Sequence, residues 1–415
     1  MPRQITAKRM KLHEETPLIT LTQDCVRLVS LAAQDLLHPP TAPAAKCDLL
    51  PLIHRLAYLQ IDTIHAVRRS QYLVLWSRLG DYNPAWLDEI HQEGHLFEYY
   101  AHALCYLPGE DYPIFRGRML YDERVGKYWQ GWADANPEVI EQVRSVVMEN
   151  GPICSSDFNT PTVPTGWGRI KQEKFALQRM FATGEMMVPF RVNFRRYYDL
   201  RKRVLPNWDD ADALDAKAAL EALILKAVYA LGVAREDWVA PYYFLPKTDV
   251  LEILRHLAAQ GKIKPVTIEG WKQPTYVHKD QISLLEAITR GDFPPSHITF
   301  LSPFDPLISD RDRTRALFNF DYKMEAFTPA RDRQYGYFCL PILYKGWLVG
   351  RLDPKAHRKR KLMEIKNLYL EQGVTIDDDL IIGLKTTLKA FAEWHGMKEL
   401  QISAAHPSEL GEALL

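Results

Sequence analysis

The chain lacks most of what would assign it quickly. Its five cysteines, Cys25, Cys47, Cys105, Cys154 and Cys339, lie far apart with no C-x-x-C pair, so neither a disulfide framework nor a cysteine-based zinc site is indicated. Small apolar side chains in a reducing compartment are what remains for them. No run approaches the roughly 18 apolar residues needed to cross a bilayer. The first residues, Met-Pro-Arg-Gln-Ile-Thr-Ala-Lys-Arg-Met-Lys, have no apolar core of a secretory signal, which sets the expectation of a cytoplasmic protein with no membrane partner. No glycine loop cradles a phosphate and no serine sits in a nucleophile elbow. Net charge is also missing: Lys plus Arg and Asp plus Glu are 52 each, so bulk charge says nothing about nucleic acid.

What is present is an ordinary globular composition, 47% hydrophobic and 25% charged over 415 residues, enough for several domains and a large core. The charge is unevenly spread. Residues 191–203 carry Arg191, Arg195, Arg196, Arg201, Lys202 and Arg203 against Asp199. Residues 351–361 carry Arg351, Lys355, Arg358, Lys359, Arg360 and Lys361 against Asp353. A charge run is usually a solvated face, but two of them interleaved with aromatics fit a surface that follows phosphates.

One pattern recurs three times: an amphipathic helix, a glycine, then a β-hairpin. The copies run from Pro84 to Gly94 and on to Leu107, from Glu173 to Gly184 and on to Leu200, and from Asp249 to Gly261 and on to Val277. Helices precede each copy: Thr22 caps one with Val26, Val29, Ala33 and Leu36 on its apolar stripe, and residues 46–57, 72–79, 137–150 and 215–231 supply others. Residues 155–158 read as a further short helix or a cap. From His297 the texture turns to β, with strands expected in residues 322–327, 336–344, 347–352 and 362–370, a Lys345-Gly346 hairpin turn, a helix over 378–395 and a last strand near Leu400. The expected fold is therefore α+β: a disordered tail at 1–16, three tandem winged-helix domains at 17–130, 131–210 and 211–295, and a small antiparallel β-barrel with one helix at 296–415.

The chemistry is expected in Leu59-Gln60-Ile61-Asp62-Thr63-Ile64. In an extended backbone Gln60 and Asp62 project to one side while Leu59 and Ile61 anchor the other. A carboxylate in an apolar run is costly unless paired or used. The bland reading makes Asp62 the cap of the next helix. Directly after it, His65, Arg68, Arg69 and Ser70 offer cations and a hydroxyl for a polyanion. Wings with Arg191, Arg195 and Arg196, and the basic run with Arg351, Lys355, His357 and Arg358, extend the expected DNA-binding set. Asp305, Asp310 and Asp312 resemble a metal-holding loop, which would suit a nuclease, but the interspersed Arg311, Arg313 and Arg315 favour surface ion pairs. Trp76 and Trp86 read as core.

Four segments in order, residues 59–64, residues 69–80, Ser302-Pro303-Phe304-Asp305-Pro306 and residues 349–358, resemble the YcaQ (AlkX) branch of the bacterial AlkZ-like interstrand-crosslink DNA glycosylases. The resemblance spans nearly the whole chain beyond the tail. It implies a monofunctional, cofactor-free and metal-free glycosylase, acting as a monomer on double-stranded DNA that contains alkylated or crosslinked guanine, in the bacterial cytoplasm and on the nucleoid. It assigns catalysis to Gln60 and Asp62, the Gln-aliphatic-Asp version of the signature. The alternative from another class is a winged-helix transcriptional regulator without catalysis, in which both residues are structural.

Overall fold

A computed structural model describes residues 19–122, 124–165, 168–247 and 249–414. The tail expected to be disordered lies outside the described residues. The first half opens with β1 (Thr20–Leu21) and α1 (Gln23–Ala33), capped by the Thr22 hydroxyl, which accepts from the Cys25 amide at 3.2 Å. Next come α2 (Lys46–Leu56), β2 (Leu59–Gln60), α3 (Ser70–Leu79) and α4 (Ala85–Gln92), then the hairpin β3 (Leu96–Tyr100) and β4 (Leu104–Pro108). Short strand β2 joins the hairpin antiparallel to β4, giving a three-stranded sheet in the order β2-β4-β3.

The second stretch holds α5 (Tyr112–Tyr121), α6 (Lys127–Ala135), α7 (Pro137–Asn150), the small hairpin β5 (Val163–Thr165) and β6 (Gly168–Ile170), α8 (Gln172–Ala182), and the hairpin β7 (Met186–Val192) and β8 (Arg195–Leu200). Residues 155–157 form a turn rather than a helix, with Asp157 accepting from the Cys154 amide at 2.9 Å. The third contains α9 (Arg201–Val204), α10 (Ala216–Leu231), β9 (Val233–Arg235), α11 (Glu236–Tyr243), α12 (Val250–Ala259), β10 (Ile263–Ile268), β11 (Thr275–His278) and α13 (Ile282–Thr289). The three glycines that punctuate the repeat, Gly94, Gly184 and Gly261, all have left-handed φ, of 80°, 71° and 71°. That conformation turns the chain out of each helix and into the hairpin behind it, and it suits glycine because no Cβ meets the following carbonyl. The N-terminal β1 crosses over to pair parallel with β10, extending the third hairpin's sheet to β1-β10-β11-β9.

The C-terminal region contains β12 (Ile298–Phe300), α14 (Arg311–Phe318), β13 (Leu340–Tyr344), β14 (Trp347–His357), β15 (Leu362–Leu370), α15 (Asp378–Trp394), β16 (Glu399–Ile402), β17 (Ala405–His406) and α16 (Ser408–Leu414). Its sheet runs β12-β13-β14-β15-β16, with β17 also on β15, and does not close. The last two strands lie parallel to β15. The expected antiparallel barrel with one helix is thus a mixed half-barrel, with α15 and α16 packed against it and α14 beside it. The strand expected at 322–327 is absent: Glu325 there turns inward to accept backbone amides from Gln334, Tyr335 and Gly336 at 2.9, 2.8 and 3.1 Å.

Two apolar cores result. One joins α1, the first two hairpins and the helices of the second and third stretches; the other joins α2 to α4 with the half-barrel and α15. The chain entering β2 lies on their seam: Tyr58 belongs to the first core, and Leu59 and Ile61 to the second. A segment clamped from both sides is a rigid platform for a site.

Candidate active site

Alternation along β2 sets the geometry. Leu59 and Ile61 are buried while Gln60 and Asp62 are half-buried, as period two requires. Gln60 pairs with Cys105 across the ladder, and the Ile61 amide continues it by donating to the Leu104 carbonyl at 2.8 Å. The chain then leaves the sheet. Asp62 Oδ1 accepts from the Ile64 amide at 2.7 Å, and the Asp62 amide donates to Gln71 Oε1 at 3.2 Å. Asp62 therefore caps its own turn, not the helix that follows, because α3 starts eight residues later at Ser70.

No cation pairs with Asp62 among the described residues. Burial pushes its carboxyl above the usual carboxylate range, only partly offset by the Ile64 and Thr63 amides and by the charge of Arg69. An ionised Asp62 is thus held half-desolvated, where its field is strong. Gln60 Oε1 meets His102 Nε2 at 2.8 Å, at the tip of the hairpin joining β3 to β4.

The loop between Asp62 and α3 is anchored to the half-barrel. The Ala356 amide donates to the Ala66 carbonyl at 3.1 Å, and the Arg358 guanidinium donates to the Val67 carbonyl at 2.8 Å. The Arg68 amide donates to His395 Nε2 at 3.1 Å, its guanidinium reaches the Trp394 carbonyl at 3.2 Å, and the same group lies 4.8 Å over the Trp394 ring. Ser70 is fully buried with its hydroxyl 2.5 Å from that of Ser302. Arg68 and Ser70 help to fasten the platform, Arg68 through the Trp394 carbonyl and ring and with no carboxylate partner among the described residues. His65 keeps exposed surface while its ring is partly buried, and that partial burial with the charges of Arg358, Arg69 and Arg68 lowers its imidazole, so it is neutral at pH 7.

The other expected DNA residues divide sharply. Arg191 is spent on the wholly buried Glu98 in a two-pronged pair at 2.5 and 2.6 Å. Arg351 is 2% exposed, bonded to Glu371 at 2.7 Å and to the Asp321 carbonyl at 3.0 Å, and lies over the Phe320 and Tyr335 rings. His357 bonds to Glu364 at 2.6 Å across β14 and β15. Arg191 and Arg351 are thus largely desolvated and tied to carboxylates of the chain, which leaves them less free for a phosphate than an unpaired cation, and His357 is tied to Glu364. Arg69, Arg195, Arg196, Lys355 and Arg358 keep charge for a partner: none has a carboxylate within ion-pairing distance among the described residues. Lys355 is exposed on β14.

The acidic loop is dismantled as a metal site. Asp305 is fully buried, gripped by the Arg78 guanidinium, one contact being 2.9 Å. Asp310 caps α14 by accepting from the Asp312 and Arg313 amides, each at 3.0 Å. Asp312 pairs on the surface with Arg315 at 3.0 Å. Each acid has its own task, and no cluster suited to a metal occurs among the described residues. Trp76 lies in the core, its ring 4.9 Å from Phe391 and 5.9 Å from Trp394.

Beside the motif, a cleft of about 570 Å³ is bordered by Ile61 and Thr63 and by Arg169, Lys171, Lys174, Arg195 and Arg196, with the Glu98-paired Arg191 also on its lining. Gln60 and Asp62 stand next to these lining residues, not among them. Phe194, at the tip of the hairpin between β7 and β8, borders the cleft as well; it has a left-handed φ of 68° and packs against the Arg69 guanidinium at 3.8 Å. Such a conformation costs a bulky residue about 1 kcal/mol or more and persists only where packing holds it. Sequence reasoning passed over His102, Phe194, Arg169, Lys171 and Lys174. The three cations flank a hairpin too short to stand out, and His102 was one histidine among 13.

Comparison with known proteins agrees with this architecture. The solved structure of Streptomyces sahachiroi DNA glycosylase AlkZ superimposes with a TM-score of 0.63, covering 93% of this chain and 100% of that one at 13% identity, a likeness of fold. The family model described as "DNA glycosylase AlkZ-like" matches residues 53–394, from α2 to the end of α15 and including the whole Gln60–Asp62 platform. By that match over most of its length, the chain belongs to the AlkZ-like family of DNA glycosylases.

Proposed function

We propose that this glycosylase hydrolyses the N-glycosidic bond of N7-alkylated guanine in duplex DNA and unhooks interstrand crosslinks at that base, as a monofunctional enzyme of the YcaQ (AlkX) branch. The observation that carries the reading is Asp62: a half-buried carboxylate with no cationic partner among the described residues, next to Gln60 and to the lining of a cation-lined cleft.

Alkylation at N7 makes guanine cationic and a good leaving group, so the enzyme needs no strong acid. As the bond from C1′ to N9 breaks, its electron pair leaves with the base and neutralises the N7 cation, while positive charge spreads over the sugar. Asp62 stabilises that charge and accepts the proton of the water that attacks C1′. The amide of Gln60 holds the water. The three helix-glycine-hairpin units act as winged helices, and Arg195, Arg196, Arg169, Lys171 and Lys174 neutralise phosphates along the cleft, with Arg69, Arg358 and Lys355 beyond it. A crosslinked base remains tethered to the opposite strand and cannot enter a deep pocket, and an open cleft suits it.

The test is release of 7-methylguanine from a defined duplex, with and without EDTA. Release that EDTA does not suppress, and that Asp62→Asn abolishes while DNA binding persists, is expected. Strand cleavage without base release, or an Asp62→Asn protein as fast as the wild type, would overturn the proposal.

A further inference from the structure

His102 is the one side chain that hydrogen-bonds Gln60 among the described residues, and aromatic packing holds its ring in place. It sits at the turn between β3 and β4, opposite the end of β2, with its ring 4.6 Å from that of Tyr58, a side chain 1% exposed. Tyr58 is held in turn by Tyr242, whose ring is 4.9 Å away. The imidazole is therefore fixed in position by aromatic packing, not left to sample the cleft. Its Nδ1 is buried without a partner among the described residues, and its Nε2 lies 2.8 Å from Gln60 Oε1.

An amide oxygen only accepts hydrogen bonds, so Nε2 must carry the hydrogen of that contact. Burial and the charge of Arg313 lower the ring to about 4, which agrees with a neutral imidazole; with Nε2 donating to Gln60, Nδ1 is the bare nitrogen. With Oε1 so occupied, the amide nitrogen of Gln60 is the end left over: it takes no partner among the described residues, and the side chain is half-exposed.

We propose that His102 is a positioning residue that locks the orientation of the Gln60 amide, making Gln60 a hydrogen-bond donor, through its NH2 group, to the attacking water or the substrate. A free glutamine could present either its oxygen or its nitrogen; a glutamine whose oxygen is bound presents nitrogen. One lone pair of the water then accepts from Gln60, its proton points to Asp62, and the remaining lone pair is left for C1′. This rests on the assignment of Gln60 and Asp62 to the reaction proposed above.

The test is single-turnover release of 7-methylguanine by the full-length protein, with the dissociation constant for the same duplex measured alongside. His102→Phe keeps the ring volume and the packing on Tyr58 but removes the donor. It is expected to slow base release about tenfold or more, the worth of one oriented hydrogen bond, with binding changed less than about threefold. His102→Gln, which can still donate, is expected to recover most of the rate, which a packing role would not predict. Combining His102→Phe with Gln60→Ala is expected to be no slower than Gln60→Ala alone, because His102 acts through Gln60. His102→Phe at the wild-type rate, or a double variant slowed by the full product of the two single effects, would overturn the inference while Gln60→Ala remains impaired. Gln60→Ala at the wild-type rate would overturn both this inference and the reading of the site beneath it.

Discussion

Two aspartates from the segments that carry the family resemblance ended in opposite environments. Asp305 is wholly buried and gripped by Arg78, with the Leu307 amide adding a bond at 3.0 Å. Asp62 is half-buried, bonded among the described residues to amides of its own turn and to no cation, and shifted upward by burial. A fully paired buried carboxylate is an architectural part, since taking it out of its pair leaves an uncompensated buried charge at a cost of about 3–5 kcal/mol. An unpaired one kept partly out of water holds its charge at a cost that packing does not require, which is how functional groups differ from structural ones. The same contrast separates Arg78, Arg191 and Arg351, each committed to an internal acid, from Arg195 and Arg196, which are not.

The largest expected effect breaks the structural member of the comparison. Arg78→Ala strands the Asp305 carboxylate in the core and is expected to cost about 3–5 kcal/mol of stability, read from urea unfolding. Replacing both partners with apolar residues of similar volume is expected to restore much of that loss. A single substitution costing under about 1 kcal/mol would mean that the pair does not hold the fold, and the contrast with Asp62 would lose its first half.

Asp62→Asn is next, and it moves the other way. Base release is expected to fall about 100-fold or more, because the base and the stabilising charge are lost together. Stability at neutral pH is expected to hold or rise. A carboxyl whose folded pKa is raised favours the folded state while protonated, and that contribution is lost as pH climbs through the folded pKa. Asparagine resembles the protonated form and keeps the oxygen that accepts from the Ile64 amide. In the wild type, base release is expected to decline as pH falls through the raised pKa, so its acid limb lies above the usual carboxylate range. A thermal melt with a lower Tm for the variant at pH 7, or an acid limb at the ordinary position, contradicts the comparison.

Much of this was legible in the sequence, for identifiable reasons. Periodicity located α1, α2 and α4, residues 72–79 fitted helix or buried strand equally and proved to be the helix α3, and the recurring glycines located the three hairpins, because a left-handed turn after a helix has a strong residue preference. The alternation of Leu59, Gln60, Ile61 and Asp62 gave the correct faces. Partnership was not legible. Nothing local says that Arg191 finds Glu98 from 93 positions earlier, that Ser70 meets Ser302, or that Arg351 turns inward; those are outcomes of how distant segments stack. The half-barrel was read as antiparallel because adjacent strands suggest hairpins, whereas β16 and β17 return beyond α15 and so can lie parallel to β15. The strand expected at 322–327 failed because alternation cannot register a glutamate that serves three backbone amides.

Arg191→Ala sharpens the comparison among cations. It leaves Glu98, whose side chain has no exposed surface, without its partner, and a loss of about 3 kcal/mol is expected. Because this cation is held in its pair with Glu98, the dependence of DNA affinity on salt is expected to stay as in the wild type. A shallower slope would return Arg191 to the DNA surface.

The smallest expected effect tests the free pair directly. Arg195 has one weak tie, to the Ser156 hydroxyl at 3.4 Å, and Arg196 lies over the Tyr198 ring at 5.3 Å with one guanidinium nitrogen unpartnered. Replacing both by alanine removes no ion pair, so unfolding is expected to change by less than about 1 kcal/mol. Each phosphate a cation neutralises adds about 0.9 to the slope of log affinity against log salt on duplex DNA, so the double variant is expected to flatten that slope by about 2 if both touch the backbone. Fluorescence anisotropy across a salt series reads it. A slope unchanged by this pair would place the DNA path elsewhere than the cleft beside Ile61 and Thr63, and would leave Asp62 without the cationic surroundings that set it apart from Asp305.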